Sequence, residues 1–146
     1  MKRITTTILA IVLLAVPALA EETVTIVRAI DGNSLVAAFG PIQLEIRVWG
    51  IEAPECDQPG GQEAKDEARR LAQGRTARLI YPEKGRILDK YGRHLCIVEI
   101  WNPATKNWQD FGYWMIVHGR AKPNDVFPCD RHEKYKQAEK DGKALR

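Results

Sequence analysis

The chain has 146 residues and carries 22 Lys and Arg against 19 Asp and Glu, a formal net charge of +3. That length suits one domain built on one core. So slight a charge balance excludes a protein that holds nucleic acid by its overall charge, and any electrostatic footprint must be local.

Residues 1–20 read as a secretory leader. Lys2 and Arg3 make a positive start, Ile8 to Val16 is an apolar run, and Ala18-Leu19-Ala20 is a small-x-small cleavage pattern. The run is shorter than the roughly 20 apolar residues a spanning helix needs. The expected mature chain is a single domain over 21–146, exported to a periplasm or out of the cell, with no stable membrane association once the leader is removed. Loss of Lys2 and Arg3 leaves 20 basic residues facing 19 acidic ones.

An exported chain meets oxidising conditions. Cys56, Cys96 and Cys129 are three, so at most one internal pair forms. Cys96 sits in the apolar run Leu95-Cys96-Ile97-Val98 and reads as a small buried hydrophobe. Cys56 and Cys129 lie in loop-like sequence and are the expected disulfide. No Cys-x-x-Cys or His-x-x-x-His spacing exists, which argues against a metal held by Cys and His.

Thr23 to Ile30 alternates and predicts a strand, Asp31-Gly32 a turn, and Ser34 to Phe39 a second strand. After Gly40-Pro41, Ile42, Leu44, Ile46 and Val48 fall on one side of a third strand, with Gln43, Glu45, Arg47 and Trp49 on the other. Gly50 ends that strand, and the following loop presents Glu52 and Glu55 around Pro54. A cation on a strand is thus followed by two carboxylates on a short loop, a placement that holds charged catalytic groups rigidly. Ala64, Ala68, Leu71 and Ala72 then recur at helical spacing within Gln62–Gln73, and Gly74 is a stop.

Arg75 to Tyr81 and Arg93 to Trp101 predict two more strands, joined by a polar segment that includes Asp89-Lys90-Tyr91-Gly92-Arg93. Lys84, Arg86, Lys90 and Arg93 cluster there as a local basic patch. Trp101 and Trp108 flank a turn at Asn102-Pro103. Asp110 to His118 predicts a helix with Phe111, Trp114, Met115 and His118 on one face. The Lys-, Glu- and Ala-rich tail from Arg131 predicts a solvated helix. His94, His118 and His132 read as structural or surface groups, and Trp49 as barrel packing. Strands followed by helices make an α+β chain, and a closed barrel is the natural way for five short strands to avoid exposed edges.

Three motifs in order, Asp31-Gly32-Asn33-Ser34, then Arg47-x-x-Gly50-x-Glu52-x-Pro54-Glu55, then Asp89 to Arg93, make nearly the whole mature chain resemble the staphylococcal nuclease (thermonuclease) family. The resemblance implies an OB-type five-stranded β-barrel with about three packed helices, a platform for single-stranded nucleic acid. It implies a calcium-dependent phosphodiesterase that acts on DNA or RNA with little sequence preference, leaves 3′-phosphates and works as a monomer. By position, Arg47 and Arg93 would clamp the phosphate, and Glu55 would orient or deprotonate water. Asn33, Glu52 and the carbonyl of Ala53 would hold calcium. Lys90 and Tyr91 would hold a terminal phosphate, with Phe127 near the base.

The chemistry suits these residue types. A guanidinium grips two phosphate oxygens and stays charged, and a carboxylate aligns water. The departures fall on the metal. Asn33 replaces the family's anionic Asp, Glu52 replaces a shorter Asp, and Ala53 replaces Thr. Fewer charged ligands mean weaker calcium binding. The alternative expectation is therefore an OB-type nucleic-acid-binding module whose catalysis is weakened by Asn33.

Overall fold

A parallel pairing at the far end of the sheet closes it into a barrel. In the computed structural model, which describes residues 22–145 and so leaves the expected leader outside them, β1 (Val24–Ala29) pairs with β2 (Ser34–Phe39). Strand β2 pairs with β3 (Ile42–Val48), while β5 (Thr76–Ile80) lies between β1 and β6 (His94–Asn102). These pairings are antiparallel. The ring closes where β3 meets β6 in parallel, Ile46 opposite His94 and Val48 opposite Cys96. The result is the expected five-stranded barrel with three helices.

The apolar face of each strand fills the barrel. Ile26, Leu35, Ala37, Ile46, Val48, Cys96 and Val98 are almost fully buried. The alternation read in β3 holds only in its second half, because Ile42 is 55% exposed where the strand runs past the end of the core.

Helix α1 (Gly61–Ala72) buries Gly61, Ala64, Ala68 and Ala72. This face of small residues lets the helix lie close on β1 and α2. Helix α2 (Phe111–Val117) is capped by Asp110, whose side chain accepts from the Tyr113 N–H at 3.0 Å. Phe111 and Met115 enter the core as predicted, whereas Trp114 and His118 are only half-buried. His118 Nδ1 instead meets Glu67 of α1 at 2.5 Å.

Four elements differ from the reading of the sequence. Strand β7 (Asn107–Asp110) pairs back on β6 beyond the ring, with Trp101 opposite Trp108 and their rings edge to face at 5.2 Å. Four residues are too few to show a period. A two-residue strand β4 (Ile51–Glu52) pairs with β8 (Lys122–Pro123) and ties the loop after β3 to the C-terminal third. Helix α3 (His132–Ala144) is not merely solvated, since Tyr135, Ala138 and Gly142 are buried along one side. Arg131, just before it, bridges two buried carboxylates, Glu99 at 2.5 Å and Asp110 at 2.8 Å. Tyr135 donates to the other oxygen of Asp110 at 2.9 Å. A buried charge is tolerable only when so paired.

Cys56, Cys96 and Cys129 are all free thiols, which corrects the expected Cys56–Cys129 pair. Cys56 is exposed at the start of the loop leading to α1, with its thiol 3.6 Å from the Ile30 carbonyl. Cys129 is buried where Gly50 turns the chain at φ 84°, and a Cβ on residue 50 would lie 2.3 Å from the Cys129 sulfur. The two thiols therefore have separate surroundings, and the loop-like sequence they share says nothing about proximity.

Candidate active site

The barrel closure decides what meets what. Arg47 lies opposite Ser34 on β2 and opposite Leu95 on β6. Arg93 stands two residues before Leu95, so the parallel pairing sets the two arginines side by side although 46 positions separate them in the sequence. Arg93 Nη1 lies 3.4 Å from the Ser34 hydroxyl, which joins the strand facing Arg47 to the second guanidinium.

Each arginine is held from behind. Asp89 accepts from Arg93 Nε at 2.7 Å through one oxygen, and through the other from the N–H groups of Arg93 at 3.0 Å and Tyr91 at 2.8 Å. Arg47 Nη1 donates to Asn33 Oδ1 at 2.7 Å. Asn33 is itself buried. Its N–H donates to Asp31 Oδ1 at 2.8 Å, its carbonyl accepts from the Val48 N–H at 2.9 Å, and its Nδ2 donates to the Ile51 carbonyl at 3.4 Å. These bonds leave each guanidinium with further N–H donors.

Burial, followed by repulsion from Arg93, pulls the Arg47 guanidinium below its ordinary pKa, while Asp31, Glu55 and Glu52 push it the other way. Two cations that repel across a partly desolvated gap form a site that an anion would relieve.

That gap opens into a cleft of about 720 Å³. Such a volume falls within the roughly 300–1,000 Å³ of ordinary ligand sites and exceeds what one phosphate fills. Arg47, Glu55, Arg93, Lys90, Tyr91 and Phe127 all line it. Glu55 is exposed on the loop after β4, where its N–H donates to Gln58 Oε1 at 3.2 Å and its carbonyl accepts from the Gln58 N–H at 2.9 Å. Tyr91 is 71% exposed, with Lys90 Nζ 5.0 Å and Arg93 Cζ 5.4 Å from its ring centre. Phe127 is 69% exposed. It is set at the rim by Asn124, whose side-chain oxygen accepts from the N–H groups of Val126 at 3.0 Å and Phe127 at 2.9 Å.

The three residues expected to hold calcium do not line one common hollow. Asn33 has given its one side-chain oxygen to Arg47. Glu52 and Ala53 line a second hollow of about 450 Å³, beside Arg120 and Lys122. Among the described residues no group of three or more His, Cys, Asp or Glu is placed to hold a metal. Calcium takes about six to eight oxygens, and its affinity rises with the number of charged ones. The donor set as arranged does not fit it.

Two residues at the site carry more than the sequence assigned them. Asp31 lines the cleft and fixes the Asn33 turn, and Asp89 anchors Arg93. The available signal was local: an aspartate two residues before an N–H it caps, and an Asp/Arg pair at i,i+4. Each looks like turn chemistry until the strands are closed.

The family model for staphylococcal nuclease homologues matches residues 45–146. It begins inside β3 and so leaves the Asp31–Ser34 turn out. A thermonuclease from Staphylococcus hyicus is 27% identical over 133 residues, covering 86% of this chain and 74% of the relative.

Proposed function

Because this chain belongs to the staphylococcal nuclease family, we propose that its cleft hydrolyses phosphodiester bonds in DNA or RNA, with Arg47, Arg93 and Glu55 as the working groups. The observation that supports this most directly is the facing pair of guanidinium groups, each anchored from behind, in one cleft with an exposed carboxylate. In this reading the two arginines grip the non-bridging oxygens and meet the charge that grows on them in the transition state. Glu55 aligns a water and takes its proton as the oxygen attacks phosphorus, and the bond to the 5′-oxygen breaks, that oxygen taking a proton from solvent, to leave a 3′-phosphate and a 5′-hydroxyl. Lys90 holds a neighbouring phosphate, and Tyr91 and Phe127 offer ring faces to bases.

Calcium is assigned no step, because the Asn33 amide oxygen is taken by Arg47 and Glu52 lines another hollow. The same observation favours a second reading, a nucleic-acid-binding module that has lost turnover. We further propose export of the protein, supported by the basic start and apolar run of residues 1–20.

Digestion of single-stranded DNA by the protein from Glu21 onward, with calcium, with other divalent ions and with EDTA, separates the readings. Cleavage in the wild type that disappears in Arg47→Ala and Glu55→Ala supports the hydrolase. Binding without cleavage under every ion supports the module.

A further inference from the structure

One stretch of the cleft wall is left unused by the proposed reaction. Lys84 and Arg86 stand on the connection between β5 and β6, line the same cleft as the arginine pair, and are exposed. Neither has a carboxylate partner among the described residues.

Beside them the chain exposes apolar side chains, Ile87 at 52% and Leu88 at 42%, with Leu88 also lining the cleft. Exposed aliphatic groups interleaved with unpaired cations suit a ligand that is itself alternately charged and apolar. A polynucleotide strand is such a ligand, with a phosphate on every repeat and a base or sugar face between. Inorganic polyphosphate would use the cations and leave Ile87 and Leu88 wet.

We propose that Lys84 and Arg86 form a further phosphate subsite beyond that of Lys90, with Ile87 and Leu88 as its apolar floor, so that the cleft seats a single strand several nucleotides long. This rests on the phosphodiesterase reading of the arginine pair.

Anisotropy titrations with phosphorothioate-linked (dT)12 and with (dT)2, each across a salt series, test it on the wild type and on Lys84→Ala/Arg86→Ala. For single strands the log–log salt slope changes by about 0.7 per phosphate neutralised. The double variant is therefore expected to bind (dT)12 with a slope smaller by about 1.4 and at least tenfold more weakly at low salt. Binding and turnover of (dT)2 should stay at wild-type values, which also shows that the variant folds. An unchanged slope, or an equal loss on (dT)2, overturns the subsite. A wild type that binds (dT)12 with the larger slope but never cleaves the unmodified, all-phosphate (dT)12 keeps the subsite and removes the hydrolase reading.

Discussion

Asn33 Oδ1 accepts a hydrogen bond from Arg47 Nη1 at 2.7 Å, and so commits its only side-chain acceptor to a guanidinium. A calcium ion at this position would have to displace a cation to reach a neutral amide. Asn33→Asp supplies a second carboxylate oxygen and a charge without changing size. Titration calorimetry should show calcium binding at least about tenfold tighter in Asn33→Asp than in the wild type, since ligand charge sets affinity. Equal affinity in the two proteins would mean that Asn33 is not what limits the metal.

Removing either arginine should remove most of the activity while leaving the barrel folded, because both side chains sit at the cleft and not in the core. Loss of one well-placed donor to a transition-state oxyanion costs about 10²–10³-fold in kcat, and that range is expected for Arg47→Ala and Arg93→Ala on single-stranded DNA. Arg47→Lys should fare little better. A lysine is a point charge and cannot reach Asn33 and a phosphate oxygen with separate rigid donors. Full activity in Arg47→Lys would show that charge alone suffices.

Asp89 predicts how the site behaves in acid. Burial acts to raise its pKa, but bonds from the Arg93 N–H, the Arg93 guanidinium and the Tyr91 N–H outweigh burial and hold it below the usual carboxylate range. A carboxyl depressed on folding stabilises the fold above its unfolded pKa, about 3.9, and that contribution is lost as pH falls through the lower folded value. Between pH 4 and 5 the Asp89–Arg93 anchor should still be intact. Thermal melts from pH 3 to 7 should show the wild type weakening below about pH 4 more steeply than Asp89→Asn. Parallel curves would remove Asp89 from the account.

The cysteines differ enough to be told apart chemically. Burial pushes the Cys96 thiol up to about 12. It also raises Cys129, with smaller contributions that include the nearby charge of Asp110. Cys56 is exposed. Because the thiolate is the nucleophile, iodoacetamide at pH 8 should label Cys56 alone in the folded protein and all three thiols in denaturant. Absence of label on Cys56, with a mass two hydrogens lower, would restore the disulfide.

Much of this arrangement was legible because it is periodic or punctuated. The strand carrying Arg47 alternates in its second half, and Asp31-Gly32, Gly40-Pro41 and Gly74 mark where β1, β2 and α1 stop. The ordered motifs name two arginines that the fold brings to one cleft, because strand ends and short loops give a residue's position in sequence a fixed place in space. What stayed hidden depends on closure. Nothing local says that β3 and β6 lie parallel, that the Asn33 oxygen is taken by Arg47, or that Glu52 lines a second hollow. The buried side of α3 was missed for a related reason. Tyr135, Ala138 and Gly142 are one aromatic and two small residues among charges, and only packing against α2 reveals them as a stripe.

Glu55 owes its position to Gly61. Helix α1 begins directly beneath the Glu55 carbonyl, and a Cβ on residue 61 would lie 1.8 Å from that oxygen and 2.5 Å from its carbon. Both are backbone atoms, so they can yield only if the loop moves. The Gln58 clasp on Glu55, a side-chain oxygen on its N–H and an N–H on its carbonyl, would have to move with them. Gly61→Ala should therefore act on chemistry more than on binding. The arginines stand on or beside strands outside this loop, so KM for single-stranded DNA should hardly change, while kcat should fall at least tenfold as the carboxylate leaves its line to phosphorus. Alanine's helix preference, worth up to about 1 kcal/mol over glycine, works in the opposite direction and makes a stability loss alone a poor explanation. Gln58→Ala loosens the same clasp without the collision and should give a smaller drop in kcat. If Gly61→Ala turns over substrate at the wild-type rate, the position of Glu55 is not what limits the reaction, and the water-activating role falls to another group.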